Sequence, residues 1–259
     1  MRGLFRLTAL LLLALLSGAA FGAEATQSPT LGPAKTYQLA TIAVVRDAPD
    51  GRIVDVWNSE TLFTARESEG EWLRVSGNFP GDKWQPLPQP LWISRYYAHD
   101  LTAARAPKHP DRVIVVDKSR FLLKVIERKN NADKVLYKAR VALGMDGCRP
   151  KEKGGNCYYT EAGEYEVRWK IHDPKGIEWC IPKFMEKEYP EDIAAGQRCF
   201  RGPLGSYALN IGKSYAIHGT NRPQSLGKKV SHGCIRVANH DMAAIYRLSD
   251  VGDKVLIVE

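Results

Sequence analysis

The residues best suited to chemistry lie in two short segments. They are Ala216-Ile217-His218-Gly219-Thr220 and, after a loop containing glycine and lysine, Val230-Ser231-His232-Gly233-Cys234-Ile235-Arg236-Val237. A cysteine within reach of two histidines is what thiol catalysis requires. The nucleophile is the thiolate, and a free thiol with a pKa of about 8.5 is mostly protonated at neutral pH. An imidazole can take that proton and later return it to a leaving amine. Gly233, beside Cys234, permits a tight backbone conformation, from which backbone N–H groups could face a developing oxyanion. The competing reading of Cys234 is a buried apolar side chain. For His232 it is a part in holding the loop rather than moving protons. Lys213, Arg222, Lys228, Lys229 and Arg236 gather around the motif, either as a solvated face or to steer a substrate that bears carboxylates.

These residues closely resemble the L,D-transpeptidase catalytic domain of the YkuD type. His218, Ser231, His232, Gly233, Cys234, Ile235 and Arg236 supply each element of its signature. Further matches are Thr160-Glu161-Ala162-Gly163-Glu164-Tyr165, Leu204-Gly205-Ser206-Tyr207-Ala208-Leu209 and Gly252-Asp253-Lys254-Val255-Leu256-Ile257, so the resemblance spans about residues 111–259. Glu161 departs from the family's proline, which bears on loop stiffness. The resemblance implies Cys234 as nucleophile, His218 as general base and a backbone carbonyl near Gly219 orienting the ring. His232 would support the site. Arg236 would hold a substrate carboxylate or the local loop, with Ser231 and Gly233 beside it on the substrate side. No metal and no cofactor is implied.

The implied reaction is attack on the carbonyl of the third residue of a peptidoglycan tetrapeptide stem, typically diaminopimelate. D-alanine leaves, and the thioester passes to an amine on another stem or on a protein. The alternatives are water as acceptor, making an L,D-carboxypeptidase, or a non-catalytic wall-binding scaffold. A wall endopeptidase of the cysteine type would place its cysteine well before its histidine, and a sortase would place it in Thr-x-Thr-Cys. Neither order occurs here.

The elements that must position this motif read as mainly β, with little helix. In the catalytic part, Arg112 to Asp117, Phe121 to Glu127, Lys134 to Ala142 and Glu164 to Ile171 read as strands. Met242 to Leu248 has helical spacing and Lys254 to Val258 closes as a strand. Upstream, Leu39 to Val45, Ile53 to Trp57, Leu62 to Ala65, Trp72 to Val75 and Leu91 to Tyr97 are short β runs separated by turns. Prolines 86, 88 and 90 argue against helix there. Gly70-Glu71-Trp72-Leu73-Arg74-Val75 and Leu91-Trp92-Ile93-Ser94-Arg95-Tyr96-Tyr97 resemble a bacterial SH3-like barrel. Trp57, Trp72 and Trp92 read as core, and Trp84 as an exposed ligand contact.

The expected organisation is a signal peptide at 1–25, a linker at 26–36, the SH3-like domain at 37–104 and the catalytic domain at 105–259. Arg2 and Arg6, the apolar run Leu7 to Leu16 and the small residues after it have the build of a secretory signal, cut after Gly22 or Ala25. The competing reading, an uncleaved anchor, has an apolar run short for a bilayer. Localisation is thus expected to be exported, periplasmic or wall-associated.

The chain has 259 residues, 44% hydrophobic and 25% charged, with a net charge of +8. Those are the proportions of a soluble globular protein, and the basic excess is too diffuse for a nucleic-acid reader. The resemblance implies peptidoglycan stem peptides as partners, and the expectation from the charge is no nucleic acid. Cys148, Cys157, Cys180 and Cys199 lie outside the motif and read as two disulfides in an oxidising compartment. Short separation favours Cys148–Cys157 and Cys180–Cys199, although three pairings are open. A four-cysteine zinc site competes, but the spacing lacks any Cys-x-x-Cys pair.

Overall fold

A computed structural model describes residues 34–67, 70–101, 109–130 and 132–259. The signal segment, most of the linker and the boundary near residue 105 lie outside the described residues. Lys35 and Thr36, expected in the linker, begin the first strand, Lys35–Leu39.

The N-terminal part is a seven-stranded sheet. Its core is Leu39, Val45, Phe63, Leu73, Val75 and Ile93, all fully buried. The proline-rich segment is strand throughout Gln85–Ser94. Its proline half pairs on one side only, Pro86 opposite Gly77, whereas Trp92 is matched by Arg46 on one flank and Arg74 on the other. Proline has no N–H to donate and is tolerated where a strand has one free edge.

The C-terminal part is built on a ten-stranded sheet. One end is Gly163–Glu166, paired with Lys254–Val258, and the other is Trp169–His172, paired with Tyr207–Gly212. The sequence reads 164–171 as one strand; the structure breaks it in two. Val167 is fully buried at the break, and its N–H bonds to Asp253 while that of Arg168 bonds to Asn210. The two ends of the sheet are therefore joined by two residues, so the sheet must curl until its edges meet. Helix Asn239–Leu248 buries Met242 and Ile245 in the core this curl encloses.

Two disulfides, Cys148–Cys157 and Cys180–Cys199, occupy the four sulfurs that a zinc site would need. The second joins the facing residues of the paired strands Glu178–Cys180 and Cys199–Arg201. Around them a small core of Tyr158, Ile181 and Met185 packs with Trp179, Tyr189 and Phe200. This insertion rises from the sheet between Gly144 and Tyr207.

The two sheets share a core, because Ile171, Ile177 and Ala208 pack with Tyr37, Leu39 and Tyr97. A polar joint reinforces it. Buried Tyr97 donates to Asp173 (2.5 Å) and accepts from the Glu178 N–H (2.9 Å). Arg201 bridges Asp173 and Glu178, and Arg46 meets Glu178 from the N-terminal side. His99 stacks on Trp169 at 4.1 Å between ring centres. Burial and the Asp173 hydrogen bond raise the Tyr97 phenol far above its ordinary range, so it stays a neutral donor.

Tyr97→Phe leaves Asp173 and the Glu178 N–H short of a partner in a dry site. It is expected to lower stability by about 1–3 kcal/mol, measured by denaturant unfolding. An unchanged midpoint would mean that the apolar contacts alone make the joint.

Candidate active site

Strand Tyr215–His218 runs parallel to Ile235–Val237, with Ile217 beside Ile235 and His218 beside Arg236. Side chains alternate along a strand. Ile217 and Ile235, both fully buried, point into the core, while His218 and Arg236 take the other face. Cys234 immediately precedes the second strand. Its sulfur lies 3.9 Å from the Ser214 carbonyl and hydrogen-bonds the Ala216 backbone, which brings it alongside the strand that carries His218. Cys234 is a free thiol and only partly buried.

His218 is 3% exposed, and its Nδ1 sits 2.6 Å from the Gly219 carbonyl oxygen. A carbonyl only accepts, so Nδ1 carries the hydrogen and Nε2 keeps its lone pair. Burial pushes the His218 pKa down to about 4, against the upward pull of the Gly219 carbonyl and with a small push from Arg236. Burial also raises the Cys234 thiol, opposed by the Ala216 backbone and Arg236. At neutral pH the resting pair is thiol and neutral imidazole.

The turn before Cys234 is held from beneath. The Thr160 hydroxyl accepts from the Gly144 N–H (2.8 Å) and donates to the Gly233 carbonyl (2.7 Å). Gly233 has φ +99°, and a Cβ there would lie 2.9 Å from the Tyr215 ring and 3.2 Å from the Tyr159 carbonyl. Only glycine fits both the angle and the space. Ser231 is buried and donates to the Cys234 carbonyl at 2.5 Å, so its contacts are with the turn. The backbone N–H groups of Gly233 and Cys234 meet no acceptor among the described residues.

His232 faces the insertion. Its Nε2 is 3.2 Å from Glu188, and its ring stands edge-on to Tyr158 at 4.5 Å. The Glu188 side chain is 4% exposed. It also accepts from Tyr158, Asn156 (3.4 Å) and Arg149 (3.1 Å). Burial works to raise the Glu188 carboxyl, but hydrogen bonds from Tyr158 and His232 outweigh it and hold it below the usual carboxylate range. Burial pushes His232 down while Glu188 pulls it up. Sequence reasoning missed Glu188, whose only signal was its place between Cys180 and Cys199. It also missed Asn239, whose side chain accepts the Thr220 N–H at 2.9 Å and so steadies the peptide that orients His218.

The expected site residues are thus brought together on and beside two neighbouring interior strands of the sheet. Beside them opens a cavity of about 350 Å³ between the insertion and the 219–230 loop, with Arg236, Arg222 and Lys228 on its walls. A larger cavity of about 620 Å³, lined by Gln38, Glu60 and Arg168, lies between the two sheets and includes none of the motif residues.

The curled β-sheet thus carries the histidine on one strand and the cysteine immediately before the parallel strand beside it. The chain belongs to the YkuD family, the L,D-transpeptidase catalytic domain, whose family model matches residues 111–257. It is 46% identical over 103 residues to the probable L,D-transpeptidase YbiS of Escherichia coli K12, covering 36% of this chain and 33% of that protein. It is 48% identical over 106 residues to the putative L,D-transpeptidase YqjB of Bacillus subtilis 168, covering 39% and 52%. The matches thus span a third to a half of these relatives. Among solved structures, an L,D-transpeptidase from Mycobacterium smegmatis aligns over 88% of this chain and 100% of its own at a TM-score of 0.41 and 15% identity.

The His218 ionisation makes a prediction about stability. Its folded pKa is depressed below the unfolded value, so its contribution is complete above about pH 6.5 and is lost as the pH falls through 4. The loss is on the order of 3 kcal/mol. Unfolding between pH 7 and 4 should show that decline, and His218→Gln should flatten it. A second prediction concerns Glu188. Glu188→Ala strands four donors around a buried position and should cost about 3–5 kcal/mol, whereas Glu188→Gln, which keeps an acceptor, should cost less. Equal denaturant midpoints for the two variants would contradict this.

Proposed function

We propose that this protein is an exported L,D-transpeptidase that remodels peptidoglycan through a thioester on Cys234. The observation that carries the reading is the Gly219 carbonyl on His218 Nδ1. It leaves Nε2 as the only ring nitrogen able to take a proton, on the sheet face shared with a free thiol.

In the first half-reaction the Cys234 proton passes to His218 Nε2 as sulfur attacks the carbonyl carbon of the third stem residue. The oxyanion is met by the idle N–H groups of Gly233 and Cys234. His218 then gives the proton to the departing amine, D-alanine leaves, and a thioester remains. In the second half an acceptor amine attacks that thioester while His218 removes its proton. Collapse expels the thiolate, which takes the proton back. Arg236 holds a substrate carboxylate, and His232, fixed by Glu188, keeps the turn in place.

An SH3-like domain over residues 37–104 would position the enzyme on the wall. Trp84 supports that role, being 51% exposed with its indole N–H anchored on Thr64 (3.0 Å). Two disulfides support an oxidising compartment, which accords with a cleaved signal at 1–25. Among the described residues no helix is long and apolar enough to cross a membrane.

Incubation with purified disaccharide-tetrapeptide, followed by mass spectrometry, tests the reading. D-alanine release and a cross-linked dimer are expected, and a tripeptide product alone would make water the acceptor. Cys234→Ala should lower release at least about 10³-fold with an unchanged unfolding midpoint. Release at the wild-type rate would defeat the assignment.

A further inference from the structure

The Cys148–Cys157 disulfide joins the two segments that hold the turn before Cys234. On its upstream side, strand Ala132–Gly144 ends by pairing in parallel with Lys229–Ser231. The Leu143 N–H donates to the Lys228 carbonyl (3.0 Å), and that of Met145 to the Ser231 carbonyl (3.1 Å). On its downstream side, the residues after Cys157 meet the turn and the strand beside it. The Tyr158 ring stands against His232, and the Tyr159 carbonyl accepts from the Tyr215 hydroxyl (3.0 Å). Thr160 then donates to the Gly233 carbonyl. One arm therefore grips residues 228–231 and the other residues 232 and 233, and the disulfide ties the arms together.

The same bridge sets the partner of His232. Three of the four donors to Glu188, namely Arg149, Asn156 and Tyr158, are chain neighbours of Cys148 or Cys157. Near the cysteines the arms are otherwise joined by a single bridge and by the Arg149 N–H on the Asn156 carbonyl (2.8 Å). Neither equals a covalent tie, since a hydrogen bond open to water contributes little net stability. The two disulfides also differ in exposure. Cys148 and Cys157 are both exposed, whereas Cys180 is 1% exposed and joins strands already paired. A disulfide open to solvent is the one that a thiol can reach.

Resting on the transpeptidase reading, we propose that Cys148–Cys157 is a redox-sensitive clamp on the turn before Cys234, and that opening it disables the site while the fold persists. The reductant is a dithiol. One of its thiolates attacks a sulfur of the bridge, the S–S bond breaks and a mixed disulfide forms. Its second thiol then displaces the bound cysteine. Cys148 and Cys157 are left as thiols and the dithiol as its cyclic disulfide, two electrons and two protons having passed to the protein. The two arms part, Glu188 loses its preset donors, and His232 and Gly233 no longer fix the sulfur beside the strand of His218. The protein thus has opposite requirements at its cysteines, Cys234 reduced and the exposed pair oxidised.

The test uses full-length protein carrying Cys148→Ser and Cys157→Ser together, read in two ways. D-alanine release from disaccharide-tetrapeptide should fall about ten- to hundredfold in kcat, with KM changed less than about threefold, because the turn is displaced. Alkylation of Cys234 by iodoacetamide at pH 7 should rise at least about threefold, since the burial that raises its thiol is relieved. Glu188→Gln should lower kcat in the unsubstituted protein but by less than about twofold in the serine variant, because both changes act through His232. Unchanged kcat or an unchanged alkylation rate in the serine variant would overturn the proposal, as would equal factors for Glu188→Gln in both backgrounds. Should the serine variant not fold, the unsubstituted protein is titrated with dithiothreitol and its thiols are followed by mass spectrometry. Cys148 and Cys157 should become labelled before Cys180 and Cys199, with release falling in step. The reverse order, or full release after Cys148 and Cys157 are labelled, would overturn the clamp. Alkylation needs no substrate, so the two readings separate. If the unsubstituted protein releases no D-alanine, the transpeptidase reading fails and the change in Cys234 alkylation alone decides the clamp. Release that survives opening of the bridge removes the clamp and keeps the transpeptidase reading.

Discussion

The parallel pairing of Tyr215–His218 with Ile235–Val237 is the constraint on which the site depends. Parallel neighbours cannot be joined by a tight turn, so the chain must leave the sheet and come back. The excursion is the 219–234 segment. It begins with the carbonyl that orients His218 and ends with the turn that presents Cys234. Between them it delivers Arg222 and Lys228 to the cavity wall. One topological necessity therefore supplies the orientation of His218, the turn before Cys234 and the charge of the pocket. Ile217 and Ile235 keep the register, because a slip of one residue would turn both fully buried side chains to the wrong face.

The insertion of residues 145–202 completes what the sheet leaves open. The sheet alone would leave the His232 ring without its carboxylate partner. Glu188, held by Tyr158, Asn156 and Arg149, gives that ring a fixed partner instead. Outside its two strands of the main sheet, this segment has a small core of its own, little more than Tyr158, Ile181 and Met185. Two disulfides offset this by restricting the unfolded chain. The same insertion carries Asp173, Glu178 and Arg201 to Tyr97 of the N-terminal sheet. That sheet and the pocket are thus attached to one disulfide-bonded segment.

Much of this was legible in the sequence wherever the determinant is local. Alternation located Arg112–Asp117 and Lys254–Val258 to the residue, and cysteine separation favoured the two pairs that form. His218, Gly233 and Cys234 could be singled out because residue type limits what each can do. Glu164 to Ile171 misled because its pattern continues through Val167, whose burial comes from sheet curl and not from strand pairing. Glu188 was invisible, since its burial depends on four donors distant in sequence. The shared core of the two sheets was hidden for a like reason. Ile171 and Ala208 look like ordinary strand residues whichever neighbour covers them.

Under the proposed mechanism, the charges around Cys234 explain why the Gly219 carbonyl matters more than the nearby arginine. Proton transfer from Cys234 to His218 creates a negative and a positive charge together. Arg236 stabilises the first and opposes the second, so its field largely cancels over the transfer. A carboxylate bound at Arg236 would likewise leave the transfer nearly unchanged, and the cation is free to serve binding. The backbone groups do not cancel. The Gly219 carbonyl lies on Nδ1 and favours the imidazolium, while the Ala216 backbone bond to sulfur favours the thiolate. Each acts on one partner and in the productive direction. Burial opposes both charges and keeps the resting pair neutral. In the proposed reaction the ion pair forms when substrate arrives, with dipoles already oriented to receive it.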